Sequence, residues 1–376
     1  MAGSTGGGSS SNPSPAPPPP KILLAKPSSG PLPGKFARGA GEDENVPHRS
    51  RLPPVGSLNL LSDSWDFHID RFLPFLTENT DFTVVGIIGP PGVGKSTIMN
   101  EIYGFDGTSP GMLPPFAIQS EEIRVSARHC TVGIEPRISA ERFILLDTQP
   151  VFSPSVLAEI MRPDGSSMIP VLSGESLSAE LAHELMGIQL GVLLSSICHI
   201  LLVVSEGVHD NNMWRLLLTV DLLKHSIPDP SSPMLSHPQS SSLGPEKESR
   251  DKLHVGAEYM ATPIFVHTKL HDQHLIPHNV VHLRKALAHY FSSSSFMREK
   301  HRNIAKCITD DNVDPTLLSS FIPLKNRDDS PKAQYESYIS TLWKLRDQVL
   351  SMACPSFSRT LSEREWLKNS AKIWEL

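Results

Sequence analysis

Apolar residues along the chain follow two periods, and their alternation predicts the architecture. The run FTVVGIIG (82–89) is β-branched and apolar up to its closing glycine, the pattern of a parallel strand buried on both faces. RFILLD (142–147), HILLVVSE (199–206) and TPIFVHTK (262–269) repeat that pattern. Elsewhere the spacing changes to three and four. SAELAHELMGIQLGVLLSSI (178–197), NMWRLLLTVDLLKH (212–225), VVHLRKALAHYF (280–291) and YESYISTLWKLRDQVLSMA (335–353) predict helices, and a short apolar FIPL (321–324) precedes the last of them. LNLLSDSWDFHIDRFLPFLTE (58–78) also carries helical spacing, with Asp63 as its candidate cap. At the end, SEREWLKNSAKIWEL (362–376) sets Trp366, Leu367, Ile373 and Trp374 in one stripe, which predicts packing against its own domain, with a partner's groove as the alternative. Strands alternating with helices form βαβ units. The expected fold is α/β, a three-layer sandwich with a mostly parallel sheet and helices on both faces.

Composition limits how much of the 376 residues can pack. Residues 1–57 are rich in Gly, Ser and Pro, with few side chains to bury against the entropy of ordering, and read as a disordered tail. Pro17–Pro20 reads as linker more readily than as a polyproline II ligand. A second polar tract at 228–256, rich in Pro and Ser, reads as an insertion outside the core of a domain covering 58–376. The formal net charge of -6 makes no case for bulk nucleic-acid binding. The four cysteines lie too far apart for a zinc spacing, and neither a signal peptide nor an apolar run of about 20 residues is present. The chain reads as cytoplasmic, with reduced thiols and no membrane contact.

The chemistry begins where the first strand ends. Gly89, Pro90, Pro91, Gly92, Val93, Gly94, Lys95 and Ser96 fill G-x-x-x-x-G-K-[ST], with a strand before them and the helical STIMNEIYG after them. Glycines let backbone N–H groups curl around phosphate oxygens at a helix N-terminus. Lys95 is then expected on the outer phosphates, Ser96 on magnesium and Thr97 on the innermost phosphate. Asp147 closes the RFILLD strand at the Walker B position. In G-domains that aspartate opens D-x-x-G, whose glycine amide senses the terminal phosphate. Here Asp147, Thr148 and Gln149 are followed by Pro150, which has no N–H and a fixed φ, so sensor and hinge are both removed.

In RHCTVGIEPRI (128–138), Thr131 stands where a switch threonine meets magnesium, and an ordinary strand-edge threonine fits the same pattern. For the base, Thr268, Lys269, Leu270 and His271 stand in place of [NT]-K-x-D. The Lys269 stem can stack on a purine, but His271 cannot accept paired donors as a carboxylate does, so ATP and GTP or GDP all remain open. Arg124, Arg128, Arg137 and Arg142 are scattered and read as solvated or partner-facing. The histidines from His267 to His278 read as a surface loop rather than a metal site, and Asp310, Asp311 and Asp314 as a solvated turn.

GPPGVGKSTIMNEIYG, HCTVGIEPRI, LLDTQPV, HTKLHDQ and WLKNSAKIW together resemble the G-domain-like SMG-series factors of nonsense-mediated mRNA decay. The resemblance covers the chain from about Leu58 onward. It implies a regulatory subunit that forms a heterodimer with a larger G-domain-like decay factor and bridges it to a phosphatidylinositol-3-kinase-like protein kinase. A switching GTPase and a small-molecule kinase are the competing readings. The first lacks its phosphate-sensing glycine and base-reading aspartate here, and the second lacks an arginine-rich lid.

Overall fold

The computed structural model describes residues 58–62, 65–107, 112–126, 128–161, 171–172, 175–235, 259–296, 317–325 and 336–376. The tail expected over 1–57, the part of the insertion at 236–256, and Asp310, Asp311 and Asp314 lie outside them, as does Asp63.

The strands are β1 (Thr83–Ile88), β2 (Ile134–Ile138), β3 (Phe143–Thr148), β4 (Val171–Leu172), β5 (Glu175–Ser176), β6 (Ile200–Glu206), β7 (Thr262–Leu270) and β8 (Ser319–Pro323). Six of them form one sheet in the order β2-β3-β1-β6-β7-β8, while β4 and β5 pair separately. Only β2 runs antiparallel to its neighbour in the large sheet. The helices are α1 (Lys95–Tyr103), α2 (Glu121–Val125), α3 (Pro154–Ile160), α4 (Ala179–Ile197), α5 (Asn211–Leu223), α6 (Pro277–Tyr290), α7 (Tyr338–Ser351) and α8 (Glu363–Trp374). This is the mostly parallel, three-layer sandwich of a G-domain-like P-loop protein.

Both faces of the sheet are covered because alternate strand residues point to opposite sides and both sets are apolar. Val84, Ile88, Ile144, Leu146, Leu201 and Val203 pack with α4, α5, α6 and α8. Val85, Ile87, Leu145, Leu202, Ile264 and Val266 pack with α1 and α7. The central strands therefore read as continuous apolar runs.

The segment 58–78 departs from its helical spacing. Leu60 donates to the Ile134 carbonyl at 2.8 Å and Ile134 to that of Leu61 at 3.3 Å, so the segment extends along the outer edge of β2. Leu61 also bridges Phe67, and among the described residues the segment's one short helix is the 3-10 turn Leu73–Phe75. Leu60 and Leu61 are adjacent and both fully buried, which a surface helix with one apolar stripe does not offer to consecutive residues. Beyond this clasp the β2 edge is blunted. Pro136 has no N–H, and its carbonyl is taken by Arg137 Nη1 at 2.8 Å.

The terminal helix packs on its own domain. Ser362 and Glu365 form a capping box at its start, and the Trp366 indole is buried with its N–H on the Ile197 carbonyl at 2.8 Å. Trp374 meets Trp65 edge-on and donates to the Trp65 carbonyl at 3.2 Å, which ties α8 to the clasp. Glu363, fully buried, accepts from Thr77 N–H at 2.7 Å and from Arg142 Nε at 2.8 Å. Burial pushes its carboxyl up, but these donors outweigh burial and hold it below the usual carboxylate range. Arg142 is thus an internal partner of Glu363, not a solvated arginine. The first residues of the expected insertion are likewise packed, because α8 supplies donors to their carbonyls: Asn369 to Pro230 at 2.7 Å and Lys372 to Leu235 at 2.6 Å.

Candidate functional site

The sheet order places β3 on one side of β1 and β6 on the other. The chain leaves β1 toward the β3 side and returns from β3 past β1 to β6, and this reversal opens a crevice beyond the carboxyl end of β1 that the motif 89–96 occupies. Gly89 lies against β6 so closely that a Cβ there would stand 2.3 Å from the Val204 carbonyl oxygen. Gly92 and Gly94 have φ of 74° and 93°, the left-handed backbone that turns successive N–H groups inward. Helix α1 starts on Gly94 with no side-chain cap, whereas α4, α5, α7 and α8 are capped by Ser178, Asp210, Ser337 and Ser362. Its first-turn amides suit an anion.

Lys95 is buried, and its ammonium donates to the carbonyls of Gly89 at 2.9 Å and Pro90 at 3.1 Å. Burial pushes its pKa down to about 8 against the attraction of Asp147. Ser96 and Thr131 both donate to Asp147 Oδ2, at 2.7 and 2.9 Å, and their hydroxyls lie 3.5 Å apart. The fold thus gathers three residues that are widely separated in sequence. Burial raises the Asp147 carboxyl, and Lys95, the two hydroxyls and the Thr148 amide pull it back only in part. Its Oδ1 is buried without a hydrogen-bond partner. Two hydroxyls beside a carboxylate with one bare buried oxygen make a hard, all-oxygen donor set that fits magnesium.

Two adjoining clefts surround the P-loop. The smaller, about 130 Å³, is lined by Lys95, Ser96, Thr97, His129, Thr131 and Pro150. The larger, about 780 Å³, runs from Pro91 and Gly92 past Thr268 and Lys269 to Leu324 and Tyr338. At that far end the polar groups are already engaged. Thr268 donates to the Ser205 carbonyl at 3.1 Å, and Lys269 pairs with Glu206 at 2.8 Å. His271 is exposed. His267 is buried in the sheet rather than in a surface loop, stacked on Phe321 with its Nδ1 3.1 Å from the Ser205 hydroxyl. Alternation along β7 turns it inward.

A curated protein from Xenopus tropicalis, nonsense-mediated mRNA decay factor SMG9, is 30% identical to this chain over 370 residues, covering 91% of the chain and 69% of that protein. The chain belongs to the SMG9 family of nonsense-mediated mRNA decay factors. The SMG9 factor of Xenopus laevis is 28% identical over the same length. No family model matches the chain. A solved septin GTPase domain from Chlamydomonas reinhardtii aligns with 72% of the chain and 91% of its own length, at 9% identity and a TM-score of 0.33.

In this SMG9-family chain the two segments that would move in a switching G-domain are tied together. Gln149 donates its backbone N–H to the Gly133 carbonyl at 2.8 Å, and its side-chain oxygen accepts from the Gly133 N–H at 3.0 Å. Val151 N–H donates to the Gly89 carbonyl at 3.2 Å. Gly133, at φ 57°, fits under the clasp only because it has no Cβ, which would stand 1.8 Å from the Leu61 oxygen.

Several cleft residues escaped the sequence reading. Ser153 and Ser155 line the larger cleft together with Arg124 and Arg128, which are exposed as expected, Arg124 pairing with Glu121 at 3.2 Å. The available signal was their closeness in sequence to Thr131 and Pro150. Among the described residues no helix is long and apolar enough to cross a membrane.

Proposed function

We propose that the chain holds a purine nucleotide with magnesium as a structural ligand and acts as a non-switching regulatory subunit of the protein kinase complex of nonsense-mediated mRNA decay. In this reading it bridges a phosphatidylinositol-3-kinase-like kinase to a larger G-domain-like decay factor, in the cytoplasm. The observation that carries nucleotide binding is the meeting of Lys95, Ser96, Thr131 and Asp147 beneath the P-loop, with Asp147 Oδ1 left bare. Gly92, Val93 and Gly94 present amides, Pro90 and Pro91 having no N–H to offer, while Lys95 neutralises the outer phosphates and Thr97 serves the innermost one. Ser96, Thr131 and Asp147 would hold magnesium, which supplies charge neutralisation to the phosphates. Thr268 and the Lys269 stem flank the base, and without a carboxylate at His271 adenine and guanine are both accepted.

The paired Gln149 and Gly133, together with Pro150, support a site that does not switch. A moving switch must break these bonds, and it gains no amide contact to a terminal phosphate in return. Turnover is correspondingly slight. A ligand that binds only the folded state stabilises it by about 2.7 kcal/mol at one hundred times its Kd.

Purified chain is denatured and the released nucleotide identified by chromatography, with turnover assayed in parallel. Stoichiometric nucleotide without hydrolysis, lost together with a drop in melting temperature in Lys95→Ala, is the expected result. Rapid hydrolysis would instead favour a working NTPase, and unchanged melting in nucleotide-loaded and nucleotide-free protein would remove the structural-ligand account.

A further inference from the structure

Pro150 removes the amide that reads a terminal phosphate in D-x-x-G, yet the space beside it is lined by polar side chains. His129 shares the smaller cleft with Lys95, Thr131 and Pro150, and Ser153, Ser155, Arg124 and Arg128 line the larger cleft with Pro91 and Gly92. His129, Ser155 and Ser153 form a connected array. His129 Nδ1 lies 2.8 Å from Ser155 Oγ, and Ser155 Oγ lies 2.8 Å from Ser153 Oγ. The His129 side chain is only 6% exposed, and its Nε2 stands 3.5 Å from Glu159.

The loop that carries Arg128 and His129 is itself held. The Asn100 side chain of α1 pairs with both backbone groups of Phe116, at 2.9 Å each. Gln119 then donates to the Arg128 carbonyl at 2.7 Å, and Arg128 N–H donates to the Ile123 carbonyl at 3.1 Å. Arg128 is thus tied through its backbone to Gln119 and Ile123, in the same segment whose Phe116 the P-loop helix holds.

Resting on the nucleotide reading above, we propose that Arg128, His129 and Ser155 recognise the outermost phosphate of a bound nucleoside triphosphate, replacing with side chains the amide that Pro150 lacks. A hydroxyl carries one proton and two acceptor positions. Ser155 can accept from Ser153 and from the His129 ring while turning its proton to a phosphate oxygen. The Arg128 guanidinium adds charge and a planar pair of donors, the arrangement that suits phosphate. Recognition of this kind needs no moving amide, so the site distinguishes triphosphate from diphosphate while Gln149 and Gly133 stay paired.

Magnesium complexes of ATP, ADP, GTP and GDP are titrated calorimetrically into the full chain and into Ser155→Ala, His129→Ala and Arg128→Ala. The wild type holds the triphosphate at least about tenfold tighter than the diphosphate, the scale of one lost hydrogen bond to a charged group. Each variant reduces that preference to about threefold or less with diphosphate affinity unchanged, and the melting temperature of diphosphate-loaded protein stays at the wild-type value in Arg128→Ala, whose side chain is exposed. A wild type with equal affinities, a preference that survives all three substitutions, or an equal loss for both nucleotides overturns the inference. If the wild type binds no nucleotide, or Lys95→Ala binds as well as wild type, the nucleotide reading fails with it. Intact Lys95-dependent diphosphate binding with an unmoved preference sinks the phosphate reader alone.

Discussion

The phosphate end and the base end of the cleft are built from the same fold and differ in what their side chains are free to do. At the phosphate end, Lys95, Ser96, Thr131 and Asp147 converge, and Asp147 keeps a buried oxygen with no partner. At the base end, Thr268 is bonded to the Ser205 carbonyl, Lys269 is paired with Glu206, and no carboxylate stands at position 271. Buried, uncompensated polar groups raise the energy of the empty site and so favour a ligand, whereas satisfied ones favour nothing. In the proposed reading, the one bare oxygen of Asp147 puts affinity at the phosphates and leaves the base weakly discriminated.

Lys95→Ala is the strongest way to test that contrast. It removes the buried cation from the phosphate end and is expected to raise the nucleotide Kd about a hundredfold or more, read by calorimetry. Asp147→Asn comes next, because it keeps the side chain's shape and removes its charge. Adding magnesium tightens wild-type binding, and in this variant the ratio of affinities with and without magnesium falls to about one, a loss of about tenfold or more. A magnesium ratio unchanged from wild type would take Asp147 out of the cation site.

The third test needs no substitution. Burial lowers the free protein's Lys95 to about 8, and a phosphate bound against the ammonium would favour its charged form. Binding therefore takes up a proton above that pKa. Affinity should be level below about pH 7 and fall by up to about tenfold per pH unit above about pH 8, with the slope absent in Lys95→Ala. The smallest effect is expected at the other end. Lys269→Ala breaks a partly exposed pair with Glu206 and loses a stacking stem, so nucleotide affinity falls about threefold and the ATP to GTP ratio stays within about tenfold. A hundredfold loss there would reverse the comparison.

Legibility followed the range of the interactions involved. The P-loop and its helix were readable because Gly89, Gly92, Gly94, Lys95 and Ser96 lie within one turn, where local backbone geometry governs. Asp147 was found because a buried parallel strand has a recognisable apolar run and a defined end. Segment 58–78 was misread because its apolar spacing suits a helix in isolation, and pairing with Ile134 far along the chain outweighs that preference. Arg142 read as a surface arginine until Glu363, 221 positions later, was seen to meet it.

By itself the sequence determined the layered α/β architecture, the glycine loop between β1 and α1, the aspartate that closes β3 and the missing N–H at Pro150, because each depends on residue type at short spacing. Only the tertiary structure decided that Thr131 reaches Asp147, that Gln149 ties Gly133, that the clasp covers β2, and that Arg128, His129 and Ser155 line the clefts beside the P-loop. These depend on which distant segments the sheet order brings side by side, and hydrogen bonds between side chains are specified by that juxtaposition rather than by any local pattern.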